Sequence, residues 1–381
     1  MHPALAPLIF PPRMTPSSFL SLYDKLEKLV RRLPEGLQQP ILREITPIKT
    51  LFLLQRPPRI VLVGPGGAGK AELVCALFNA ELLKPGEENL NEGTWVKFSR
   101  GGQGALQLLD ARRPVSQQLV KAAIAEQAPD LFVFVRPARQ IDDALAADLE
   151  HAEQLLSYAE SRHEGRARVL GVLLAGEAGA DHELARQDLN ACLHTREAIS
   201  ARMLGTVALG AAGAASRLAE LVAVELPGEA QLEMARLSGN KELQRQIGQV
   251  VIKSVTAICA AIGAQPIPLA DFPILTALQG LLVASIMHVS GREMSTKLGA
   301  EFIAAIGANL GAGLVLREGA RAAAKLVPLW GNAVSGAVAG AGTYAIGRAA
   351  SAYFIEGLSL ADARTIFRRK KATGFLEVKK P

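Results

Sequence analysis

A glycine-rich stretch, Gly64-Pro65-Gly66-Gly67-Ala68-Gly69-Lys70, constrains the fold of this chain more than any other feature. It follows the apolar run Arg59–Val63, which reads as a β-strand, and precedes Glu72–Phe78, which reads as a helix. Glycines let backbone N–H groups turn inward around a phosphate, the helix N-terminus adds positive potential, and the lysine reaches the phosphate oxygens. The strand, loop and helix together predict a P-loop fold rather than a simple glycine-rich turn.

The residue after this loop differs from the one that metal-assisted hydrolysis requires. The predicted nucleotide-binding residues are Gly64, Gly66, Gly67, Ala68, Gly69, Lys70 and Ala71. P-loop NTPases carry Ser or Thr at the last of these positions, and its hydroxyl ligates Mg²⁺. Ala71 has no oxygen, and Glu72 is wrongly placed to replace it without a shift of the helix. The sequence therefore predicts a phosphate site with weakened Mg²⁺ binding.

Strand and helix patterns alternate over residues 59–225. The predicted strands are 59–63, 94–98, 105–109, 131–135, 168–174 and 204–209, and the predicted helices lie near 70–79, 142–159, 181–195 and 214–224. Short apolar strands such as Leu131–Val135 suit a sheet that is covered on both faces. This alternation predicts an α/β P-loop NTPase domain, G-domain-like, whose mostly parallel sheet is flanked by helices.

Strand patterns fade beyond residue 230, and an all-α helical domain is expected there, beginning with one helix over 228–262. Four runs carry no charged residue: 254–270, 272–291, 302–316 and 326–347. A run of about 20 apolar residues can span a bilayer, and Gly336-x-x-x-Gly340 permits close helix contact. Buried helices of a large soluble bundle have the same composition. We expect membrane association through residues 250–350, with the soluble bundle as the alternative.

Charge and cysteine usage narrow the class of protein further. The formal net charge of +6 is modest for 381 residues, and basic residues are not interleaved with aromatic ones, so no specific nucleic acid is expected as a partner. The C-terminal segment is basic and could contact anionic lipid or be solvated. Three well-separated cysteines, Cys75, Cys192 and Cys259, suit a reducing cytoplasm.

The expected organisation is an N-terminal arm and helices (1–58), the P-loop domain (59–227), the helical domain (228–363) and a basic tail (364–381).

The segment Arg56–Val63 leading into Gly64–Lys70 resembles bacterial Era-like GTPases of the translation-factor-related class. The resemblance implies GTP or GDP with Mg²⁺ as the ligand. It also implies two switch residues and candidate metal contacts, Thr94 after the first helix of the domain and Asp110 after the third strand. In those GTPases Asp-x-x-Gly contacts Mg²⁺ and the γ-phosphate, and here Arg113 replaces the glycine.

The base-reading motifs of the resembled family are altered. Its Asn/Thr-Lys-x-Asp motif would stand at 175–178, where the chain has Ala-Gly-Glu-Ala, and only Ala208 matches the last motif. The C-terminal half is similar to the YcjF-like domain, a domain of unknown function that is often fused to bacterial GTPase domains and regarded as membrane-associated. The matching segments are 265–271, 290–293, 327–332 and 342–347.

These patterns predict a degenerate GTPase-like protein, a pseudo-GTPase. It would bind nucleotide weakly or not at all and act as a scaffold or switch at the inner face of a membrane, peripherally or as an integral protein. The alternatives are an active NTPase with non-standard Mg²⁺ and base-reading residues, aided by a protein partner or a second copy, and a structural helical protein with a vestigial P-loop. Arg112 and Arg113 would then either supply positive charge near a γ-phosphate or be surface residues. Asp148 is expected on a solvated helix face.

Overall fold

The computed structural model describes most of the chain. The described residues are 27–28, 30–31, 35–66, 69–78, 93–99, 104–138, 144–164, 167–174, 182–210, 214–264, 271–307 and 331–378. They form two compact units. One comprises Arg56–Asn240, and the other comprises the described residues up to Gln55 together with those from Lys241 onward. The helix expected within the N-terminal segment, α1 (Glu35–Phe52), thus groups with the C-terminal helices, and the units divide at residue 240 rather than at 227.

The first unit is built on a six-stranded sheet. Its strands are β1 (Arg59–Val63), β2 (Trp95–Ser99), β3 (Ala105–Asp110), β4 (Leu131–Pro137), β5 (Arg168–Leu174) and β6 (Met203–Leu209). They lie in the order β2-β3-β1-β4-β5-β6, and every neighbouring pair is parallel except β2 with β3. This confirms the predicted mostly parallel sheet of a G-domain-like α/β fold.

Helices cover both faces of this sheet. They are α2 (Lys70–Phe78), α3 (Gln117–Glu126), α4 (Leu145–Arg162), α5 (His182–His194), the short α6 (Glu197–Ser200), α7 (Ala214–Glu225) and α8 (Gly228–Ser238). On one face, Val120, Leu155 and Leu193 pack in a single core with Val61 and Phe132 of the central strands. The opposite face carries α2, α7 and α8, which contact one another and the strands β3 and β6. The inner strands β1, β4 and β5 are therefore apolar on both faces over most of their length, because neither face meets water there.

The helical unit differs from the expected pattern at its start. The helix predicted over 228–262 is two helices, α8 and α9 (Lys241–Gly263), because Gly239 takes a left-handed conformation with φ of 61° and ends the first. After α9 come α10 (Asp271–Val289), α11 (Thr296–Ala305), α12 (Gly331–Ala350) with a π-helical extension (Ser351–Ile355), and α13 (Leu360–Val378). The segment expected as a basic tail is therefore helical as far as Val378.

Small residues in α12 serve helix–helix packing. A Cβ atom added at Gly336 would lie 2.7 Å from the carbonyl oxygen of Ala260 in α9, closer than atoms of this kind approach. The side of α12 that carries Gly336 and Gly340 therefore lies directly against α9. Helix α9 also contacts α1 and α10. Within the described residues, one helix, α9, is long and apolar enough to cross a membrane, and 56% of its most apolar window is buried against the rest of the protein.

Candidate functional site

The loop after β1 is held against the segment that follows β3. The ladder between these parallel strands continues past their ends, because Ala111 N–H donates to the Leu62 carbonyl at 2.9 Å and Arg113 N–H donates to the Gly64 carbonyl at 3.2 Å. At Gly66 a Cβ atom would lie 2.2 Å from the Arg113 carbonyl oxygen, so only glycine fits. The described start of the loop, 64–66, and the 111–113 segment thus form one packed surface at the carboxyl ends of the strands, where ligands of open α/β sheets bind.

Lys70, the lysine of the loop, begins helix α2, and its side chain is only 2% exposed. Its Nζ lies 3.5 Å from Oδ2 of Asp110, the last residue of β3. The predicted loop lysine and the predicted switch aspartate therefore meet in the interior. Of the remaining predicted loop residues, Gly64 and Gly66 lie on the packed surface, Gly69 accepts the first helical hydrogen bond from Leu73, and Gly67 and Ala68 are outside the described residues.

Arg112 completes this cluster. Its Nη2 lies 2.8 Å from Oδ2 of Asp110 and its Nε lies 2.9 Å from Oδ1, so both carboxylate oxygens accept from one guanidinium. The Arg112 backbone N–H also donates to Oδ1 at 3.3 Å. The Arg112 side chain is 2% exposed, and the interpretation of this arginine as a surface residue is therefore wrong. The two charged groups form a two-point pair, which is the stronger geometry for arginine and carboxylate.

The charges of the cluster set the ionisation of Asp110. Burial by itself would raise the pKa of this carboxyl, but the hydrogen bonds and charge of Arg112 and the charge of Lys70 outweigh burial. The pKa of Asp110 therefore lies below its usual range, and the group is a carboxylate at neutral pH. Two cations and one anion then share a buried volume at the phosphate loop, an arrangement that favours a further anion.

Arg113 points away from this cluster. Its Nε lies 2.6 Å from Oδ1 of Asp148 in α4, and its Nη2 donates to the Ala144 carbonyl at 3.2 Å. The side chain of Asp148 is 2% exposed. The expectation that Asp148 belongs to a solvated helix face is therefore wrong, because this carboxylate anchors the arginine that stands at the glycine position of the resembled motif.

Thr94 lies at the edge of the site. It is exposed, just before β2, and its neighbour Gly93 donates its N–H to the Asp110 carbonyl at 2.9 Å. The backbone thus brings the two predicted switch positions next to each other. Ala71 lies in the first turn of α2 and presents a methyl group. The segment 175–178, expected at the base-reading position, is outside the described residues, and Ala208 is buried near the end of β6.

The described residues do not fit a Mg²⁺ ion. Ala71 supplies no hydroxyl, and both oxygens of Asp110 are already engaged by Arg112. A divalent cation at Asp110 would have to break a buried ion pair, whose loss leaves a charge without its partner.

Sequence reasoning noticed Arg112 but missed its role. Asp110 ends a strand, and the chain stays extended in ladder with Leu62 and Gly64, so side chains two residues apart project to the same side. The spacing of Asp110 and Arg112 therefore contained the signal for their pairing.

No protein-family model matches the chain, and no curated protein sequence matches it significantly. Neither the Era-like nor the YcjF-like resemblance is thus supported at the family level. Several solved structures are similar in outline. Toc33 from Arabidopsis thaliana in complex with GDP and Mg²⁺ is 15% identical over 47% of this chain and 80% of that one, with a TM-score of 0.31.

A second neighbour covers more of the chain. A structure of an oligomerised bacterial dynamin pair, described as sensing and tethering membranes, is 10% identical over 96% of this chain and 73% of that one, with a TM-score of 0.31. A structure from work on dimerisation and GTPase activity of atToc33 and psToc159 is 16% identical, with a TM-score of 0.30. Identities this low transfer no ligand, activity or partner to this chain.

Proposed function

We propose that this chain is a pseudo-GTPase: a P-loop protein that binds a nucleoside di- or triphosphate, turns it over poorly, and acts as a scaffold or switch at a membrane. The observation that carries the proposal is the buried cluster of Lys70, Asp110 and Arg112 behind the loop after β1. It combines a phosphate-binding lysine at a helix N-terminus with a surplus of positive charge.

Impaired turnover follows from the groups around this cluster. Ala71 cannot ligate a metal. Arg113 stands at the motif position whose glycine contacts the γ-phosphate in the resembled GTPases, and its backbone N–H already donates to the Gly64 carbonyl. Phosphoryl transfer depends on positioning and on charge stabilisation by metal and cationic groups. A site that keeps its cationic side chains but has no hydroxyl ligand for a metal at Ala71 retains binding and loses most of the catalysis.

Nucleotide titration calorimetry tests this proposal. Protein freed of copurified nucleotide is titrated with GDP, GTP, ADP and ATP, and GTP and ATP turnover is measured by phosphate release. We expect binding of at least one nucleotide, loss of that binding in Lys70→Ala, and turnover below about 10⁻⁴ s⁻¹, which is slower than the intrinsic rate of an intact GTPase. The matched control is Arg202→Gln, which removes a half-buried ion pair with Glu160 away from the loop. Absence of binding to every nucleotide overturns the proposal and favours the vestigial P-loop.

The rival function, an active NTPase, is distinguished by the same assay. Arg112 lies beside Asp110, where the charge of an arginine could act on a phosphate, and this is the observation in favour of activity. Turnover at or above about 10⁻⁴ to 10⁻² s⁻¹, the intrinsic range of intact GTPases, that Lys70→Ala abolishes would establish it. Light scattering with and without nucleotide then shows whether a second copy is required.

Membrane association is the second part of the proposal, and helix α13 supports it. Ala363 and Phe367 are buried one turn apart, whereas Arg364, Arg368 and Arg369 are exposed. A helix with one apolar side packed on the protein and a basic outer side suits the anionic headgroups of a cytoplasmic leaflet. The burial of α9 against α1, α10 and α12 favours peripheral over spanning attachment.

Vesicle flotation tests the membrane part. We expect the full chain to float with vesicles containing phosphatidylserine, to stay behind with phosphatidylcholine alone, and to be released by salt. Arg368→Glu with Arg369→Glu should abolish flotation, whereas Arg217→Glu, an exposed arginine on α7, should not. Salt-resistant, carbonate-resistant retention would instead show integral insertion.

A further inference from the structure

At the position where P-loop NTPases bind a divalent cation, this protein has the guanidinium of Arg112. Mg²⁺ in such sites is held by the hydroxyl after the loop lysine and by an aspartate after a neighbouring strand. Here the first position is the methyl group of Ala71, and the second, Asp110, is a carboxylate whose two oxygens accept from Arg112 at 2.8 and 2.9 Å. The protein therefore presents a cation of its own at the place where metal would bind.

Arg112 has the properties that such a substitute requires. Its side chain is 2% exposed, and its Nη2 and Nε are fixed by Asp110 while its backbone N–H is held by the same carboxylate. A guanidinium stays charged at every relevant pH and offers five N–H donors in a fixed fork. The Nε and Nη2 nitrogens donate to Asp110, and the guanidinium lies in the same buried cluster as Lys70.

We propose that Arg112 is the built-in counter-cation of this nucleotide site, so that the phosphate groups of a nucleoside di- or triphosphate bind without a divalent metal. The inference rests on the proposed function and deepens it. Asp110 acts as a positioning residue that orients the guanidinium, and Lys70 supplies the second positive charge. Charge-assisted bonds from arginine to phosphate are among the strongest hydrogen bonds in proteins.

The test is a comparison of GDP affinity in excess Mg²⁺ and in excess EDTA, measured by calorimetry on the full chain. The inference expects the two dissociation constants to agree within about threefold, a free-energy difference below about 1 kcal/mol. Wild-type protein alone gives this result, so the experiment does not depend on a variant that folds. GDP affinity that falls more than about tenfold in EDTA would overturn the inference and leave the proposed function standing.

Variants locate the effect. Arg112→Gln should weaken GDP binding in EDTA by about tenfold or more, Arg112→Lys should restore part of it, and Arg202→Gln should leave it unchanged. If Arg112→Gln binds GDP as tightly as wild type in EDTA, the assignment to Arg112 is wrong. If wild-type protein binds neither GDP nor ADP under either condition, the proposed function itself fails, which is a different outcome from metal-dependent binding.

Discussion

The guanidinium of Arg112 and the carboxylate of Asp110 form a two-point ion pair in the interior of the protein, with nitrogen–oxygen distances of 2.8 and 2.9 Å. A buried pair of this kind costs much desolvation, and the loss of either partner strands the other charge. The pair also lies at the carboxyl ends of the strands, next to the phosphate loop. It therefore links the stability of the first unit to the chemistry of its site.

A double-mutant cycle measures this pair. Asp110→Asn and Arg112→Met should each lower the free energy of unfolding by about 3–5 kcal/mol, and the double variant should lose less than their sum, because no charge is then stranded. A Trp330→Phe background leaves Trp95 of β2 as the fluorescence probe for urea unfolding. The same cycle on Arg202 and Glu160, which are partly exposed, should give about 0–1 kcal/mol. Equal coupling in the two cycles would contradict the account.

Acid should lower the free energy of unfolding of the first unit, because it protonates Asp110. Its pKa is lower in the folded protein than in the unfolded chain, where an Asp titrates at about 3.9. The stabilisation is therefore fully present above that value and is lost as the pH falls through the lower pKa of the folded state. Arg112→Met removes the largest favourable contribution, so its urea midpoint should fall less steeply with acid than that of wild type. Parallel curves for the two proteins would show that the pair does not set this pKa.

Cys259 in α9 should resist thiol reagents in the folded protein. Burial raises its pKa to about 12, and a hydrogen bond with Thr343 of α12 offsets only part of that shift. Cys75 and Cys192 are partly exposed. At about pH 8, a disulfide reagent should react with these two thiols and reach the third only after urea unfolds the helical unit, because the thiolate is the reactive form. Equal reaction rates for all three would show that α9 is not packed as described.

Gly336 should be irreplaceable at the contact of α12 with α9, whereas Gly342 in the same helix should not. A Cβ atom at Gly336 would lie 2.7 Å from the Ala260 carbonyl oxygen, and none of the surrounding atoms lies within 4 Å of one at Gly342. We expect Gly336→Ala to cost about 1–3 kcal/mol and Gly342→Ala to stabilise by about 0.5–1 kcal/mol. The urea concentration at which Cys259 becomes reactive measures the stability of the helical unit in both variants. A reversed order would contradict the packing.

The sequence predicted the sheet well where strands are short and wholly apolar. The expected bounds of β1 and β5 match those observed, because a buried parallel strand leaves a continuous apolar run between polar turns. Helix α3 was missed. Its buried residues Val120, Ala123 and Ile124 do have helical spacing, but they lie among polar residues and form only a short stripe.

The chemistry of the site was less accessible to sequence reasoning. Sequence motifs alone indicate the loop glycines, Lys70 and Asp110. The partner of Arg113, Asp148, lies 35 residues further along the chain on a different element, and a charged helix face looks the same whether it is solvated or paired. Such pairings depend on how α4 packs on the sheet, which no local pattern encodes.

The fate of a bound nucleoside triphosphate tests the central claim most directly. The full chain is incubated with stoichiometric radiolabelled GTP and, in parallel, ATP, with excess Mg²⁺, and the nucleotide that co-elutes with the protein is identified by chromatography after several hours. The account predicts that at least one nucleotide co-elutes and is recovered as the triphosphate. Recovery as the diphosphate with release of phosphate, prevented by Lys70→Ala, would contradict it.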